Sequence, residues 1–525
     1  MGNQATKVFT ASGTFTPPAG VTSIEAIVDY PSQAVDLNQW QGAWGNMFLI
    51  DQNKNMWAWG QGGQIGNGGP GMLLGTGTNL PVSSPVLVSV PGTKWRQVYN
   101  IDFSASALDE YGNCYTWGLL PNGSGGHNAD SESTSSPVAV VGSARFSKII
   151  DGSFGDNTVM ALTPDGNLWA WGNNPNGELG VGDTVNRSSP TLVLGAKTWA
   201  SVVLAANTSL GLDTSGNAWS WGTNITGELG VGDRNSRSSP VAVLGSHTFT
   251  QVIGGFYAAN FFVALDGTGK AWAWGGNGGG NLGTGDTVSR SSPVAVVGGI
   301  SFASLIKGCN QSFGGCGGVD LSGNIWLWGD NIAGQLGANL SPSTTGVSSP
   351  VKVVGGTSFA VLFAAPSKTS SKNTMFGLDV SGNLWAWGSN ANGMLGANLN
   401  PGSTVAVSSP VAVAGGHTFT WMWSTYGSDG SSSGVTAYAV DQYGQLYSWG
   451  FNALGGCGTG NNADISSPTL VAGPIRPMGV NLPGTRTKIS VTPGVSYAVS
   501  LTWATRFGTT IIGYNAKQVT IAYQQ

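Results

Sequence analysis

The sequence predicts an all-β protein: a β-propeller of eight four-stranded repeats, with seven blades as the alternative, plus a small split β-domain formed by both termini. Three observations carry this. A burst ending in Trp-Gly occurs eight times, at Trp59, Trp117, Trp171, Trp221, Trp274, Trp328, Trp387 and Trp449. Each burst is followed by Ser-Ser-Pro, ending at Pro85, Pro137, Pro190, Pro240, Pro293, Pro350, Pro410 and Pro468. The spacing between Trp-Gly pairs runs from 50 residues (Trp171 to Trp221) to 62 (Trp387 to Trp449), which is repeat spacing.

Composition agrees. Hydrophobic residues are 40% of the 525, so a core is affordable, while charged residues are only 9%, well under the roughly 25% of an ordinary globular chain. The 84 glycines and 21 tryptophans favour strands and turns over helices. Net charge is -4 without a basic stripe, which excludes phosphate-driven nucleic-acid binding. No apolar run approaches the roughly 20 residues of a membrane helix, so membrane insertion is not expected. The opening "MGNQATKVFT" lacks the charged and apolar regions of a secretory signal.

Each unit reads as four short strands. After Ser-Ser-Pro comes strand a, as in "VAVL" (241–244); a Gly turn leads to strand b, "FTQVIGG" (249–255). A loop leads to strand c, "FFVALD" (261–266), and an Asp-x-x-Gly turn to the Trp strand d. Such turns are Asp213–Gly216, Asp320–Gly323, Asp379–Gly382 and Asp441–Gly444; the Asp caps the turn and the Gly takes positive φ. In strand d, Trp169 and Trp171 share one face and Ala170 takes the other, a large/small/large pattern suited to stacked sheets. The eight Trp residues of the Trp-Gly pairs are therefore expected to be the structural core between blades. Proline fits the Ser-Ser-Pro that begins strand a, where a missing N–H does least harm. The repeat region opens near Trp40 at a strand b and ends at "PTLVAG" (468–473), a strand a. That frame predicts that the last strand a completes the first blade and staples the ring.

The stretch "WGNNPNGELGVGDTVNRSSPTLV", with its Trp-Gly, Asn-x-x-Gly-x-Leu-Gly-x-Gly-Asp and Arg-x-x-Pro elements, resembles the repeat of the regulator of chromosome condensation family. The resemblance covers roughly residues 40 to 472 and implies a propeller. That family usually closes seven blades; the eight landmarks here favour eight.

Outside the ring, "KVFTASGTFTPPAGVTSIEAIVDY" (7–30) and "TKISVTPGVSYAVSLTW" with "KQVTIAYQQ" near the other end carry alternating strand signals. They resemble the two ends of a glycine-rich β-domain of phage fibre and virion proteins. The expected division is 1–36 and 476–525 as the two parts of one split β-domain, with 37–475 as the propeller inserted into it.

Chemistry is sparse. His247 and His417 occupy one repeat slot, filled by Lys197 and Thr357 elsewhere, and read as a turn position with free choice of residue. His127 lies in a Gly-rich loop without partners at metal-ligand spacing. Asp183, Asp233 and Asp286 recur with Arg187, Arg237 and Arg290 and read as loop braces, since one oxygen per blade falls short of calcium's six to eight. Cys309 has no activating histidine nearby, and four cysteines make no disulfide scaffold; Cys309 and Cys316 could bridge a loop, with free thiols the favoured reading. "GGNGGGNLG" (275–283) precedes no helix and reads as a blade loop. No catalytic residue, cofactor or metal is expected, and the chain is not expected to be an enzyme.

Binding remains. Adjacent strands run in opposite senses, so the b–c and d–a loops share a face opposite the short turns and the chain ends. The Trp-to-Pro distance is 19 positions in units three to five. It lengthens in units one, six and seven, and the b–c loop lengthens in units seven and eight. These units neighbour one another in a closed ring. The candidate binding loops carry Leu73, Ser343, Lys368, Lys372 and Asp429. Three functions fit. The first is a phage virion structural, fibre or decoration protein, held to other virion proteins by the terminal domain and displaying the propeller to a host surface protein or glycan, with homo-oligomerisation open. The second is a bacterial surface or secreted binding module, which would place it outside the cell. The third is a GTPase exchange factor, as the repeat resemblance implies.

Overall fold

A computed structural model describes residues 40–471 except single positions and short segments, chiefly 44–45, 61–73, 102–103, 151–156, 256–259, 307–314, 366–372, 400–405 and 429–432; beyond these it describes backbone strands at both ends. Eight four-stranded antiparallel sheets make the blades. Blade four is typical: strand b Trp199–Ala205, c Thr208–Asp213, d Ala218–Gly222 and a Arg237–Ala242, hydrogen-bonded in that order. The b strands of blades one to six, and of seven and eight, touch in succession around the centre, and blade eight's (Phe419–Ser428) reaches blade one's (Trp40–Ala43). Strand a is the outer edge, with Leu87, Val138, Leu192 and Leu470 exposed on it. All eight edge strands carry the repeat proline, which blunts an otherwise unpaired row of donors.

One expectation is corrected. Strand a does not open the next blade, and the last one does not complete blade one. Ile465–Leu470 pairs with Leu446–Gly450 of its own unit, Tyr447 opposite Leu470, and blade one has its own outer strand, Val82–Val88. The cause lies in the d–a loop. In blade three, buried Asn174 accepts from Leu179 N at 2.9 Å and donates to the carbonyls of Asp183 (3.0 Å) and Val185 (3.1 Å), folding the loop so that Arg187 returns opposite Gly172. Each blade is therefore one continuous stretch of chain.

Between blades sits the second Trp of each d strand. All eight are 0% exposed. Their indole N–H groups donate to carbonyls of the preceding blade: Trp171 to Ser124, Trp221 to Glu178, Trp274 to Glu228, Trp328 to Asn281, Trp387 to Gln335 and Trp449 to Met394, at 2.8–3.1 Å. Trp59 donates to Gly456 of blade eight at 2.9 Å, so the ring closes through the same contact that joins every other described pair. The acceptor loop must come close: a Cβ on Gly180, at φ +69°, would lie 2.8 Å from the Trp221 indole nitrogen.

The first Trp of the pair behaves differently. Trp219 is half-buried and donates to Asp213 Oδ2 at 3.0 Å, while Asp213 Oδ1 accepts from Ser215 N and Asn217 N. The c–d turn Asp thus caps its turn and anchors the ring at once. Trp57, Trp272, Trp326 and Trp385 repeat the bond to Asp51, Asp266, Asp320 and Asp379.

The chain ends share a sheet. Ser23–Asp29 lies between Gln518–Gln524 and Thr485–Ser490, with Ala26 opposite both Ile521 and Thr487, and Gln4–Phe9 pairs with Gln518–Gln524 on its far side.

Candidate functional site

The antiparallel order b-c-d-a puts the b–c and d–a loops on one face. The c–d turns, and the points where the chain enters and leaves the ring, lie on the other. Of the candidate binding residues, Ser343 is half-buried in an extended hairpin, opposite Asn331. Leu73, Lys368, Lys372 and Asp429 lie outside the described residues. Part of the added length is strand, not loop. Blade six's outer strand, Ser343–Lys352, has ten residues where blades three to five have six. Blade eight's b and c strands, Phe419–Ser428 and Ser433–Asp441, have ten and nine where blade four has seven and six, pairing as far as Ser428 and Ser433.

These extensions lean on the preceding blade. Gly346 passes so close to the Gly279 carbonyl that no side chain fits, and Gly434 packs on Phe451 and on Asn392 of blade seven. Part of the glycine run 275–283 is thereby explained, because a Cβ on Gly279, Gly280 or Gly283 would meet Asp330, Ser348 or Trp328 of blade six. Beside it, burial pushes the Asp330 carboxyl up to about 6; its Oδ1 and the partnerless Asn281 Oδ1 flank Gly279.

In blades three to five the loops are pinned by ion pairs: Arg187 to Asp183 (2.6 Å), Arg237 to Asp233 (2.6 Å) and Arg290 to Asp286 (2.5 Å). The Arg187 hydrogen bond holds the Asp183 carboxyl low, and a backbone N–H leads the same effect at Asp233 and Asp286. Glu178 is buried on this face; burial raises its carboxyl, one oxygen accepts from Asn176 N, and the other has no partner.

The slot of His247 and His417 accepts varied residues, Thr357 and Ile300 among them, and where it holds a ring or a cation that group has a common partner. The His247 ring lies 3.8 Å from Trp272 and His417 4.3 Å from Tyr447, and Lys197 Nζ stands 3.2 Å above Trp219. In these three blades the slot residue stacks on the first aromatic of strand d, which a cation or flat ring does well. His127 also has partners, in Glu132 and Thr116. Thr116, His127 and Glu132 lie in hydrogen-bonded series, with Thr116 buried and its Oγ1 also 2.6 Å from the Gly125 carbonyl. Cys114 and Cys457 are buried free thiols that burial pushes well up, and Cys316 is buried; Cys309 lies outside the described residues. Among the described residues no group of three His, Cys, Asp or Glu side chains is placed to hold a metal.

Comparison with known proteins fits this geometry. The sequence profile of the Regulator of chromosome condensation (RCC1) repeat matches residues 165–212, 215–257 and 443–481, and a second RCC1-repeat profile matches 149–178. The human E3 ubiquitin-protein ligase HERC2 is 32% identical over 133 residues, 24% of this chain but only 3% of the ligase. The ultraviolet-B receptor UVR8 of Arabidopsis thaliana is 24% identical over 384 residues, covering 71% of this chain and 68% of the receptor. The yeast RCC1 (Prp20) structure bound to Kap60 superposes with a TM-score of 0.50 at 15% identity, covering 97% of this chain and 90% of that one, a likeness of fold. Together they describe an eight-bladed β-propeller in which residues 149–257 and 443–481 match the RCC1 repeat.

Proposed function

We propose that the chain is a non-enzymatic binding protein that presents the b–c and d–a face of blades six, seven, eight and one to a protein or glycan partner. The observation that carries this is the extension of blades six and eight on the face opposite the chain ends, against the short pinned loops of blades three to five. A rigid ring with one lengthened sector resembles a scaffold with its recognition elements gathered on one side. The yeast RCC1 structure is of a complex with Kap60, a propeller protein engaged with a partner.

The finer reading is a virion component, with residues 1–36 and 476–525 as the attachment domain. Its support is the likeness of the end segments to glycine-rich β-domains of phage fibres, and strands from both ends that share one sheet. Two experiments test the two levels. Replacing the d–a loops of blades six and seven with that of blade four, and the b–c loops of blades seven and eight likewise, is expected to abolish adsorption of the purified protein to host cells with the fold retained. Unchanged adsorption refutes the sector. Mass spectrometry of purified virions is expected to find the chain; its presence only in particle-free culture fluid favours the surface or secreted module.

A further inference from the structure

Blade three breaks the repeat at one surface ring. Trp57, Trp219, Trp272, Trp326 and Trp385, each the first Trp of its strand d, donate the indole N–H to the aspartate of their own c–d turn. Trp169 of blade three has no such aspartate; the position is Thr163. The difference lies in the number of oxygens. In blade four, Asp213 Oδ1 accepts from Asn217 N at 3.0 Å while Oδ2 accepts from Trp219 at 3.0 Å. Thr163 has a single side-chain oxygen. It accepts from Asn167 N at 3.1 Å, and its proton faces the Asp165 carboxylate and the Asn167 carbonyl. The turn keeps its cap, and among the described residues the Trp169 N–H has no acceptor.

The ring face is uncovered too. Lys197 Nζ stands 3.2 Å above Trp219, and Trp272 has His247 at 3.8 Å and Lys270 Nζ at 4.3 Å. The matching turn position in blade three, two residues before Phe146, is Ala144, whose methyl packs with Trp169 in one cluster but brings no ring or charge. Ile300 and Thr357 bring none in blades six and seven either, yet there the indole is held by Asp320 and Asp379. Opposite Trp169 on the outer strand, Leu192 is 47% exposed, where blades four and five have Ala242 and Ala295. Polar groups border this apolar surface. Asn167 precedes Trp169 by two residues, on its side of strand d, and donates to Asp165 Oδ2 at 2.7 Å. Both are exposed, and the Thr163 hydrogen bond holds the Asp165 carboxyl below its ordinary range. Arg145, next to Ala144, is exposed and reaches only the Ser143 and Ala144 carbonyls, at 3.4 and 3.5 Å.

We propose that Trp169 is a sugar-binding platform: the C–H face of a pyranose lies on the indole, one hydroxyl accepts from Nε1–H, and neighbouring hydroxyls donate to Asp165 and accept from Arg145. A pyranose has an apolar face and a rim of groups that both donate and accept, which matches an open ring bordered by a free donor, a carboxylate and a guanidinium. A cationic ligand would suit the ring and Asp165 but would leave the N–H without an acceptor and face Arg145. An apolar peptide side chain would use neither charge. The site lies on the c–d turn face of blade three, opposite the lengthened loops, and does not depend on what those loops bind.

The full chain applied to an array of neutral hexose and N-acetylhexosamine oligosaccharides tests this. The parent is expected to be retained on at least one of them. Ala144→Lys with Thr163→Asp copies blade four, covering the ring and engaging the N–H while leaving Trp169 in place. This paired variant is expected to keep the parent's circular dichroism and to lose at least about tenfold in retention, as is Trp169→Ala. Retention of the parent on none of the sugars, or equal retention of the folded paired variant, overturns the site. Retention that survives the paired substitution but is lost when the loops of blades six to eight are shortened places the sugar on the other face and overturns it equally.

Discussion

Trp59 in blade one donates its indole N–H to the carbonyl of Gly456 in blade eight, 2.9 Å away across 397 residues of chain. Around it, Met47, Leu49, Tyr438, Val440, Leu446 and Val471 form one buried cluster, and Tyr438 meets Trp59 edge-on at 6.2 Å. Trp423 stacks on Tyr438, ring centroids 5.0 Å apart. The ring is thus sealed by side-chain packing between complete blades and not by a shared sheet.

The seam tryptophans are core, so truncation leaves a cavity. Trp221→Ala is expected to lower unfolding stability by about 3–5 kcal/mol, and Trp59→Ala by a similar amount, since both seams use one contact. Denaturant titration of the two variants checks this; a cost under about 1 kcal/mol at either site contradicts it.

Because each blade is continuous, the ring should tolerate new ends. Gln4 pairs with Gln524, so a direct fusion of Gln525 to Met1 makes a hairpin loop of four residues, 525 and 1–3. Opening the chain between Gly298 and Gly299, both exposed in the turn between blades five and six, leaves every blade intact. This permutant is expected to fold with the parent's circular dichroism and cooperative melting. A permutant that melts without cooperativity counts against closure by whole blades.

Asp330 gives a pH signature. Its carboxyl is raised by burial to about 6 from the usual 3.8, so the folded state holds its proton more tightly than the unfolded chain. Stability from this site is full below the unfolded value and declines as pH rises through about 6. Asp330→Asn should therefore stabilise the protein at about pH 8, by about 1–2 kcal/mol, and change little near pH 4. A variant no more stable than the parent at the higher pH would falsify the assignment.

The buried thiols should be silent. In a Cys309→Ser chain, Cys114, Cys316 and Cys457 are expected to react with a thiol reagent only on unfolding, because they are buried and burial disfavours the Cys114 and Cys457 thiolates. Stoichiometric labelling within minutes under native conditions would contradict their placement.

Much of this fold was legible in the sequence, and the losses have physical causes. Eight Trp-Gly pairs and eight Ser-Ser-Pro segments marked eight blades because each landmark answers a constraint met once per blade: a ring in the seam and a proline on the edge. The phase of the repeat was misread. Strand a is antiparallel to the strand before it and is joined by a short turn to the strand after it, and only the Asn174-type brace, which acts through backbone carbonyls, decides where it pairs. The role of His247 was hidden because Trp272 lies 25 positions away. His127 gave no signal by itself; its place rests on an absent side chain at Gly125 and on Glu132 across the loop. In the candidate binding sector, lengthening showed where sequence had been added but not that Ser343 continues a hairpin.

An experimental density map of the purified protein is the most direct test of the ring itself. The expected result is eight blades, each built from consecutive strands b, c, d and a, with Trp59 against Gly456 at the seam and Ile465–Leu470 on the outer edge of blade eight. A seven-bladed ring with a stray unit, or Ile465–Leu470 paired into blade one, would contradict it.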